Sequence, residues 1–293
     1  MVFVILGVLA IGLALAAADV FDGLPTDGDD DFKGDDGNDQ FAGLGGDDEL
    51  IGRGGNDSLS GGDGDDLVDG GTGDDLLSGG SGDDTLLGGS GEDQIFGGRN
   101  EDIIDGGSGN DFLDGGLGDD QVNGDAGDDK ILGGDGNDLL KGGSGDDDIL
   151  GGKGLDILQG EAGDDTLNGL VDDKSDGRLG AVEFDRADTL DGGTGNDTLF
   201  LGGNDTGIGG DGEDTFVIGS WITDDKDAEI EDFDPAEDEI VLIYDPETDP
   251  DPEIETETDG EDTQVYFNGM HVSTVKGIDL SGSTIKLLER ELV

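Results

Sequence analysis

One nine-residue unit recurs without a break in phase from residue 25 to residue 168. Its clearest copies are residues 70–78, 79–87 and 88–96, which share the pattern G-G-x-G-x-D-x-U-x, where U is a large apolar residue. A disordered chain would make no demand on the U position. The period therefore predicts a structural unit that is repeated and stacked on its neighbours.

Two positions of the unit are invariant in chemical character. The sixth position is aspartate in every copy, and the eighth is always large and apolar, from Phe32 to Leu167. The sixth-position aspartates are Asp30, Asp39, Asp48, Asp57, Asp66, Asp75, Asp84, Asp93, Asp102, Asp111, Asp120, Asp129, Asp138, Asp147, Asp156 and Asp165. Such regularity excludes a chance match.

This pattern resembles the nonapeptide repeat of the repeats-in-toxin (RTX) family. The resemblance implies an all-β fold, a calcium-loaded parallel β-roll. It also implies that each of many calcium ions lies between successive loops, held by the sixth-position aspartates and by loop carbonyls. The alternative for these aspartates is a metal-free Asx-turn that caps the loop.

Each part of the unit has a physical role in such a roll. The glycines allow the backbone to turn through positive φ, and x-U-x is a short strand whose U side chain points inward while its two neighbours face solvent. Two units, each a turn and a strand, would make one coil. We expect stacked coils spaced by about 4.8 Å.

The apolar core of this roll is too small to fold the chain unaided. One aliphatic side chain in nine residues buries too little surface to offset the entropy of ordering the unit. Neighbouring carboxylates about 5 Å apart also repel, by about 3 kcal/mol at an effective dielectric constant of about 20. We therefore expect the calcium-free chain to be disordered and the calcium-loaded chain to be ordered.

The composition limits which metal ions and which classes of partner the chain can bind. The chain has 77 acidic and 13 basic residues, for a net charge of −64, with no cysteine and a single histidine, His271. Oxygen ligands suit calcium, whereas zinc and copper lack their usual ligands here. Nucleic acid binding is excluded because it needs a basic surface, and an anionic membrane surface would repel the rod.

The N-terminal residues 2–18 form an apolar run that has two interpretations. As a signal peptide the run offers a small-residue cleavage site after Ala18, but it lacks a Lys or Arg before the apolar stretch. As an uncleaved membrane anchor it lies at the lower limit of length. Both interpretations direct the chain out of the cytoplasm, and residues 19–24 would link this segment to the repeats.

The repeats are interrupted once and then resume. Residues 25–168 form the first predicted block, residues 169–186 a charged insertion that bulges as a loop, and residues 187–217 the second block. The second block supplies four further candidate calcium ligands, Asp188, Asp197, Asp205 and Asp214. Gly207 stands where the apolar U residue is expected, so we predict a loosely packed coil there.

Several units depart from the consensus. Glycine is replaced at Asp35, Leu44, Arg53, Asn100, Asp125 and Glu161. Asn100 is the most tolerable of these replacements, because asparagine accepts left-handed φ. Leu155 replaces the usual Asp or Asn of the fifth position, which we expect to weaken that one site.

Residues 218–293 differ in composition and are predicted to form a C-terminal antiparallel β cap. Alternating apolar runs at 263–267 and 270–275 flank Asn-Gly, which is a strong hairpin signal. Residues 245–258 would be an acidic loop or edge strand. Histidine at position 271 lies on one of the predicted strands, where a packed or surface role is expected.

The cap also resembles the segment that follows the repeats in secreted RTX proteins. A motif of the form I-x-D-F-(x)n-D-x-I-x-L recurs there, and it stands here at residues 230–233 and 238–242. Two hypotheses remain for Asp232, Asp234 and Asp238: they hold a further ion, or they are ordinary exposed residues.

The sequence contains no motif of a catalytic site: no G-x-S-x-G, no H-E-x-x-H, no P-loop and no cysteine. We therefore predict a non-enzymatic calcium-binding protein, extracellular or at the cell surface. In similar proteins the far C-terminus carries a type I secretion signal, and residues 287–293 are compatible with one. The alternative is an adhesin or surface-layer module in which the rod is a spacer and the cap binds a cell-surface or protein partner. An ice-binding rod is not supported, because the outward ninth position shows no repeating side chain.

Overall fold

The structure is a computed structural model of the chain. It describes residues 25–170, 187–219, 222, 227–244, 246, 250–278, 280 and 285–289. These residues form strands and turns, and none of them belongs to a helix that is long and apolar enough to cross a membrane. The predicted signal or anchor at residues 2–18, and the linker after it, lie outside the described residues.

The strands divide into two sets. The odd-numbered strands are β1 (Asp31–Lys33), β3 (Glu49–Gly54), β5 (Leu67–Thr72), β7 (Thr85–Ser90), β9 (Ile103–Ser108), β11 (Gln121–Ala126), β13 (Leu139–Ser144), β15 (Ile157–Ala162), β17 (Thr189–Thr194), β19 (Thr206–Asp211), β21 (Ala228–Ile230), β23 (Ile254–Asp259) and β25 (Met270–Val275). The even-numbered strands are β2 (Gln40–Gly45), β4 (Ser58–Asp63), β6 (Leu76–Ser81), β8 (Gln94–Arg99), β10 (Phe112–Leu117), β12 (Lys130–Asp135), β14 (Asp148–Lys153), β16 (Thr166–Asn168), β18 (Thr198–Phe200), β20 (Thr215–Gly219), β22 (Glu239–Tyr244), β24 (Asp262–Phe267) and β26 (Ile285–Glu289).

From β1 to β22, successive strands alternate between two sheets whose pairs are parallel, which confirms the predicted all-β parallel roll. One sheet has the order β1-β3-β5-β7-β9-β11-β13-β15-β17-β19-β21-β25-β24-β23, and the other has the order β2-β4-β6-β8-β10-β12-β14-β16-β18-β20-β22-β26. Each strand pairs with the strand two repeats away, so that Phe112 lies opposite Lys130. Two nine-residue units therefore make one coil, as expected.

The core consists of two facing columns of eighth-position side chains, one from each sheet. They are buried in every repeat that has one: Leu50, Val68 and Leu86, for example, have no exposed surface. Strand geometry explains the columns, because only one side chain of each x-U-x segment points inward. The core is thus long and only one side chain wide on each sheet.

Tight turns join the strands, and their second and fourth positions take positive φ. Gly73, at a fourth position, has φ of 120°, and a methyl group on it would collide with the carbonyl of Gly55 in the preceding coil. Non-glycine residues keep the same left-handed conformation at Leu44, Arg53, Asn100, Asp125 and Glu161. Five of the six expected departures from glycine therefore carry backbone strain rather than a new turn.

The ladder continues on both sides of the insertion. Ile157 pairs with Thr189 and Thr166 pairs with Thr198, in the same register as elsewhere. Of the predicted loop at residues 169–186, all but residues 169 and 170 lie outside the described residues.

The coil at Gly207 is well packed, so the prediction of a loose coil there was wrong. A methyl group on Gly207 would lie 3.0 Å from Leu201 Cδ1 and 3.2 Å from Phe216 Cδ1. Both of these side chains are fully buried. The shortened repeat places Leu201 at a first position, from which its side chain fills the space that the missing U residue leaves.

The C-terminal segment is both a continuation of the roll and an antiparallel cap. β21, β22 and β26 extend the two parallel ladders, whereas β23, β24 and β25 form an antiparallel meander. The predicted hairpin is present, with Phe267 opposite Met270. The acidic segment before it includes β23, an edge strand.

Candidate metal centre

The sixth-position aspartates stack into two rows, because each coil contains two of them, one before each of its two strands. The odd row precedes the odd-numbered strands and comprises Asp30, Asp48, Asp66, Asp84, Asp102, Asp120, Asp138, Asp156, Asp188 and Asp205. The even row comprises Asp39, Asp57, Asp75, Asp93, Asp111, Asp129, Asp147, Asp165, Asp197 and Asp214. All are at most 3% exposed except Asp30 and Asp39 in the first coil, which are half-buried. The structure thus brings together all twenty predicted site residues, as two continuous rows.

One carboxylate oxygen of each row member accepts a hydrogen bond from a main-chain amide. The Asp84 amide donates to Asp102 Oδ1 at 2.9 Å, and the Asp102 amide donates to Asp120 Oδ1 at 2.8 Å. The same bond crosses the insertion, where the Asp156 amide donates to Asp188 Oδ1 at 2.8 Å. Each aspartate after the first coil therefore ties its own coil to the preceding one, beginning with Asp48 and Asp57.

The second oxygen, Oδ2, is buried and has no hydrogen-bond partner in most of the row members. These are Asp48, Asp57, Asp66, Asp75, Asp84, Asp93, Asp102, Asp111, Asp120, Asp129, Asp138, Asp147, Asp156, Asp165, Asp197 and Asp214. Asp205 differs, because its Oδ2 accepts the Gly202 amide at 2.5 Å. A buried polar atom without a partner costs about 1–3 kcal/mol, and a regular array of such oxygen atoms is suited to binding cations.

The space in front of these oxygens is lined by further oxygen. At the first-position Gly97, a methyl group would lie 2.5 Å from Asp102 Oδ2 and 2.6 Å from the carbonyl oxygen of Gly115 in the next coil. Glycine at this position therefore keeps open a cradle between a carboxylate and a carbonyl. Such hard oxygen atoms are the ligands that calcium prefers.

The cradle does not depend on a cluster of acidic side chains. Among the described residues, no group of three or more His, Cys, Asp or Glu side chains is placed to hold one metal ion. A cation in the cradle would be held by a row carboxylate together with main-chain carbonyls. The residues present fit calcium bound in this way.

Burial perturbs the pKa values of the row strongly. Desolvation raises the pKa of Asp84, Asp102 and Asp138 from 3.8 to about 7, against the lowering effect of the amide that each accepts. Neighbouring row carboxylates raise these pKa values further. The pKa also rises to about 7 for Asp93, Asp147 and Asp197, and to about 6 for Asp66, Asp75, Asp120, Asp129, Asp156 and Asp165. Without a cation, these raised pKa values favour protonation, so the rows carry less than their full negative charge near neutral pH.

The fifth-position side chains form a separate, exposed ladder that runs in the opposite direction. The Asp83 amide donates to Asp65 Oδ1 at 2.9 Å, so the Asp65 side chain ties its coil to the following one. Leu155 donates its amide to Asn137 Oδ1 at 3.1 Å but has no side-chain oxygen to offer in return. These side chains therefore stabilise the turns, and sequence reasoning missed this role.

The three cap aspartates bind backbone amides. Asp232 Oδ1 and Oδ2 accept the Gly209 and Gly210 amides, both at 2.9 Å. Asp238 Oδ1 accepts the Asp214 amide at 3.1 Å, which makes Asp238 the next member of the even row. A signal for this role existed in the sequence, because Asp238-Glu-Ile-Val repeats the D-x-U-x spacing of the units.

His271 has a structural environment in the meander. Its Nδ1 lies 3.5 Å from Asp227 Oδ2, and its Nε2 lies 2.9 Å from the carbonyl oxygen of Ser273. The Thr274 hydroxyl donates to the same Asp227 oxygen at 3.1 Å. The contacts of the imidazole agree with the packed role expected for this residue.

Solved structures similar to this chain include two of low sequence identity. One is a hyperactive, Ca²⁺-dependent, β-helical antifreeze protein from an Antarctic bacterium, with 23% identity, a TM-score of 0.41, and coverage of 74% of this chain and 77% of that one. The other is the extracellular lipase LipA from Serratia marcescens, with 17% identity, a TM-score of 0.23, and coverage of 89% of this chain but 40% of that one. No curated protein sequence matches the chain.

The repeats themselves match a family model. The model of the RTX calcium-binding nonapeptide repeat matches residues 25–59, 42–77, 60–95, 78–113, 105–140, 114–149, 141–173 and 184–216, which together make up more than half of the chain. The chain therefore belongs to the family of RTX calcium-binding nonapeptide repeats, and its β-roll binds calcium.

Proposed function

We propose that this protein is an exported, non-enzymatic β-roll that folds when its two aspartate rows bind extracellular calcium. The observation that carries the proposal is the array of buried Oδ2 atoms without partners, each beside a glycine cradle. A cation in each cradle would supply the missing partner and would neutralise part of the net charge of −64. Calcium would thus provide the stabilisation that the narrow apolar core lacks.

The proposed ligands are the twenty aspartates of the odd and even rows, together with first-position carbonyls such as that of Gly115. The roll would comprise residues 25–168 and 187–217, with residues 169–186 as an inserted loop and residues 218–293 as the cap. Asp205 would contribute less than the others, because the Gly202 amide already binds its Oδ2.

Export is supported by the calcium concentrations that such sites require. Extracellular calcium modules bind with dissociation constants of about 10⁻⁴–10⁻³ M, so the rows would stay empty in the cytoplasm and fill outside it. Residues 2–18 would act as a cleaved signal or as an anchor, and residues 287–293 would belong to a type I secretion signal. Sequencing the N-terminus of the mature protein would decide between signal and anchor.

A calcium titration of the full chain tests the proposal. Far-ultraviolet circular dichroism should report a disordered chain in chelator and β structure at millimolar calcium, with equilibrium dialysis counting many ions per chain. Magnesium at the same concentration is the control, and it should be less effective because it demands stricter octahedral geometry. A spectrum that already indicates β structure in chelator at neutral pH would contradict the proposal.

The second candidate function is an adhesin or surface-layer module, and the meander favours it. β23 pairs only with β24 among the described residues, so its outer edge is free to receive a strand from a partner. Binding of the calcium-loaded chain to the producing cells tests this function. Loss of binding when residues 218–293 are removed would support it, whereas retained binding would contradict it.

A further inference from the structure

The seventh- and ninth-position side chains of each strand point away from the core and form the outer face of its sheet. In the even-numbered strands from β2 to β16 none of these side chains is buried, and together we call them the even face. They are Gln40, Ala42, Ser58, Ser60, Leu76, Ser78, Gln94, Phe96, Phe112, Asp114, Lys130, Leu132, Asp148, Leu150, Thr166 and Asn168. A surface that runs along eight consecutive strands of one sheet is thus open to a partner.

The even face carries little charge. Lys130 supplies one positive charge, and Asp114 and Asp148 supply two negative charges. The Lys130 Nζ lies 2.8 Å from Asp148 Oδ2, so two of the three charges compensate each other. The fifth-position ladder at the turns of the same coils has no basic residue and is strongly acidic, with Asp29, Asp47, Asp65, Asp74, Asp83, Glu92, Glu101, Asp119, Asp128, Asp146 and Asp164. The roll is therefore nearly neutral on the even face and strongly anionic along its turns.

An apolar patch lies at the centre of the even face. Leu76 is 44% exposed. The half-buried rings of Phe96 and Phe112 lie with their centroids 5.7 Å apart, and Leu132 lies opposite Leu150 on the next strand of the sheet. The eighth-position core is on the other side of these strands, so these side chains are not part of it. Aromatic side chains within an apolar patch are typical of the centre of a protein–protein interface.

The even face is large enough for a stable interface. Eight strands about 4.8 Å apart and about 20 Å long cover about 700 Å². Two such faces in contact would bury about 1,400 Å² in total, and stable interfaces bury about 1,200–2,000 Å². Two sheets can also pack face to face at a separation of about 10 Å. Both the area and the shape of the even face therefore suit a partner that is itself a sheet.

The outer face of the odd-numbered strands is less suited to a partner of negative charge. Over the matching strands β1 to β15, its seventh and ninth positions hold twice as many charged residues, and none of its side chains is aromatic. The charged residues are Asp31, Lys33, Glu49, Asp69, Asp105 and Lys141. This face therefore serves as the internal comparison for the even face.

We propose that the folded roll forms a two-fold symmetric dimer in which the even faces of two copies pack against each other. Charge selects a second copy as the occupant. A copy brings the same net charge of −64, so it can approach only through a face of little charge, whereas a cationic partner would bind more strongly at the acidic turns. A two-fold interface must also be self-complementary, and a nearly neutral apolar face meets that condition. The dimer goes beyond the proposed function, since it needs the folded roll but no particular calcium site.

Sedimentation equilibrium of the full chain at millimolar calcium tests the proposal. An interface of this area corresponds to a dissociation constant of about 1 µM or lower, so the wild-type chain should have twice the mass of one chain at about 50 µM. Phe112→Thr should raise the dissociation constant about 30-fold, as the loss of an interface anchor does. Thr166 occupies the same seventh position in β16, so the roll accommodates threonine there and this variant should keep its fold.

Leu76→Lys and Ile103→Lys form a matched pair of variants. Both residues are aliphatic, stand at a seventh position and are similarly exposed, at 44% and 48%, but they lie on opposite sheets. Leu76→Lys should dissociate the dimer, because it places a charge in the contact between the even faces. Ile103→Lys should leave the dimer intact. Circular dichroism of the same samples should report the same β structure in both variants.

Added sodium chloride, at fixed free calcium, should strengthen the dimer, because salt screens the repulsion between the anionic turns of the two copies. A monomeric wild-type roll, equal effects of Leu76→Lys and Ile103→Lys, or a dimer that dissociates in salt would overturn the inference. A roll that is folded and dimeric in chelator would contradict the proposed calcium-dependent folding but would support this interface. A chain that stays disordered at millimolar calcium would refute both.

Discussion

Replacing Asp102 by alanine should destabilise the calcium-loaded roll far more than the same change at Asp30. Asp102 lies in the middle of the odd row, where its Oδ1 accepts the Asp84 amide and its Oδ2 faces the cradle at Gly97. Asp30 begins the row, and its Oδ2 accepts the amide and the hydroxyl of the exposed Thr26, at 2.8 and 3.3 Å. Each coil is stabilised by its neighbours alone, so the position in the row decides the effect.

The magnitude follows from what each change removes. Asp102→Ala leaves the buried Asp84 N–H without an acceptor, which costs about 1–3 kcal/mol. It also removes a calcium ligand, and one lost ion costs about 1.4 kcal/mol when free calcium is about ten times its dissociation constant. We expect a loss of about 2.5–4.5 kcal/mol in the free energy of unfolding. Asp30→Ala should cost less than about 1 kcal/mol, because water replaces an exposed partner.

Urea unfolding at fixed free calcium measures this difference, and equilibrium dialysis counts the ions lost. Gly97→Ala tests the cradle itself, because it leaves both aspartates in the chain but places a methyl group 2.5 Å from Asp102 Oδ2 and 2.6 Å from the Gly115 carbonyl oxygen. Gly97→Ala should therefore lose an ion as Asp102→Ala does, and the displacement of the crowded oxygen atoms should add to its destabilisation. Equal unfolding midpoints for Asp102→Ala and Asp30→Ala would refute the reasoning, and a full complement of ions in Gly97→Ala would place the calcium elsewhere.

Three further predictions concern pH, the cap and the core. Burial raises the pKa of Asp102 from 3.8 to about 7 in the calcium-free roll, so this contribution to stability is fully present below pH 3.8 and is lost as the pH rises through about 7. In chelator, circular dichroism should therefore detect more β structure at pH about 5 than at pH about 8, and a lower β content in acid would contradict this. Deleting residues 218–293 should weaken the calcium response far more than deleting residues 1–24, and equal midpoints and cooperativity would rule out templating by the cap. Ile104→Ala, at a side chain 1% exposed, should cost about 2–5 kcal/mol in urea unfolding, whereas its neighbour Ile103, 48% exposed, is the control and should tolerate alanine.

The sequence period was sufficient to predict the roll, its core and the aspartate rows. Strict nine-residue spacing determines both which side chain of a strand points inward and which residues stack, so Asp102 and Ile104 could be placed without coordinates. The fifth-position ladder could not be predicted, because nothing in a sequence tells whether an exposed carboxylate binds the coil before it or the coil after it. Asp65 proves to bind the following coil.

Predictions failed or stopped short where the spacing changes. At Gly207 the period indicated a gap, but a shortened repeat brings Leu201 into it. Asp238 escaped recognition as a row member because the chain between it and Asp214 is longer than two units, and because Phe233 replaces the expected glycine. In both cases tertiary packing compensates for a local departure that the pattern alone records as a defect.

The continuity of the rows across the insertion has a practical consequence. The Asp156 amide donates to Asp188 Oδ1 at 2.8 Å, as the Asp102 amide does to Asp120 Oδ1, although 32 residues separate the first pair and 18 the second. The hydrogen-bond ladder of the aspartate row thus depends on the register of the strands and not on the length of polypeptide between them. The chain between Asn168 and Asp188 is therefore a natural position for grafting a foreign peptide, which the calcium-loaded roll would hold between two coils.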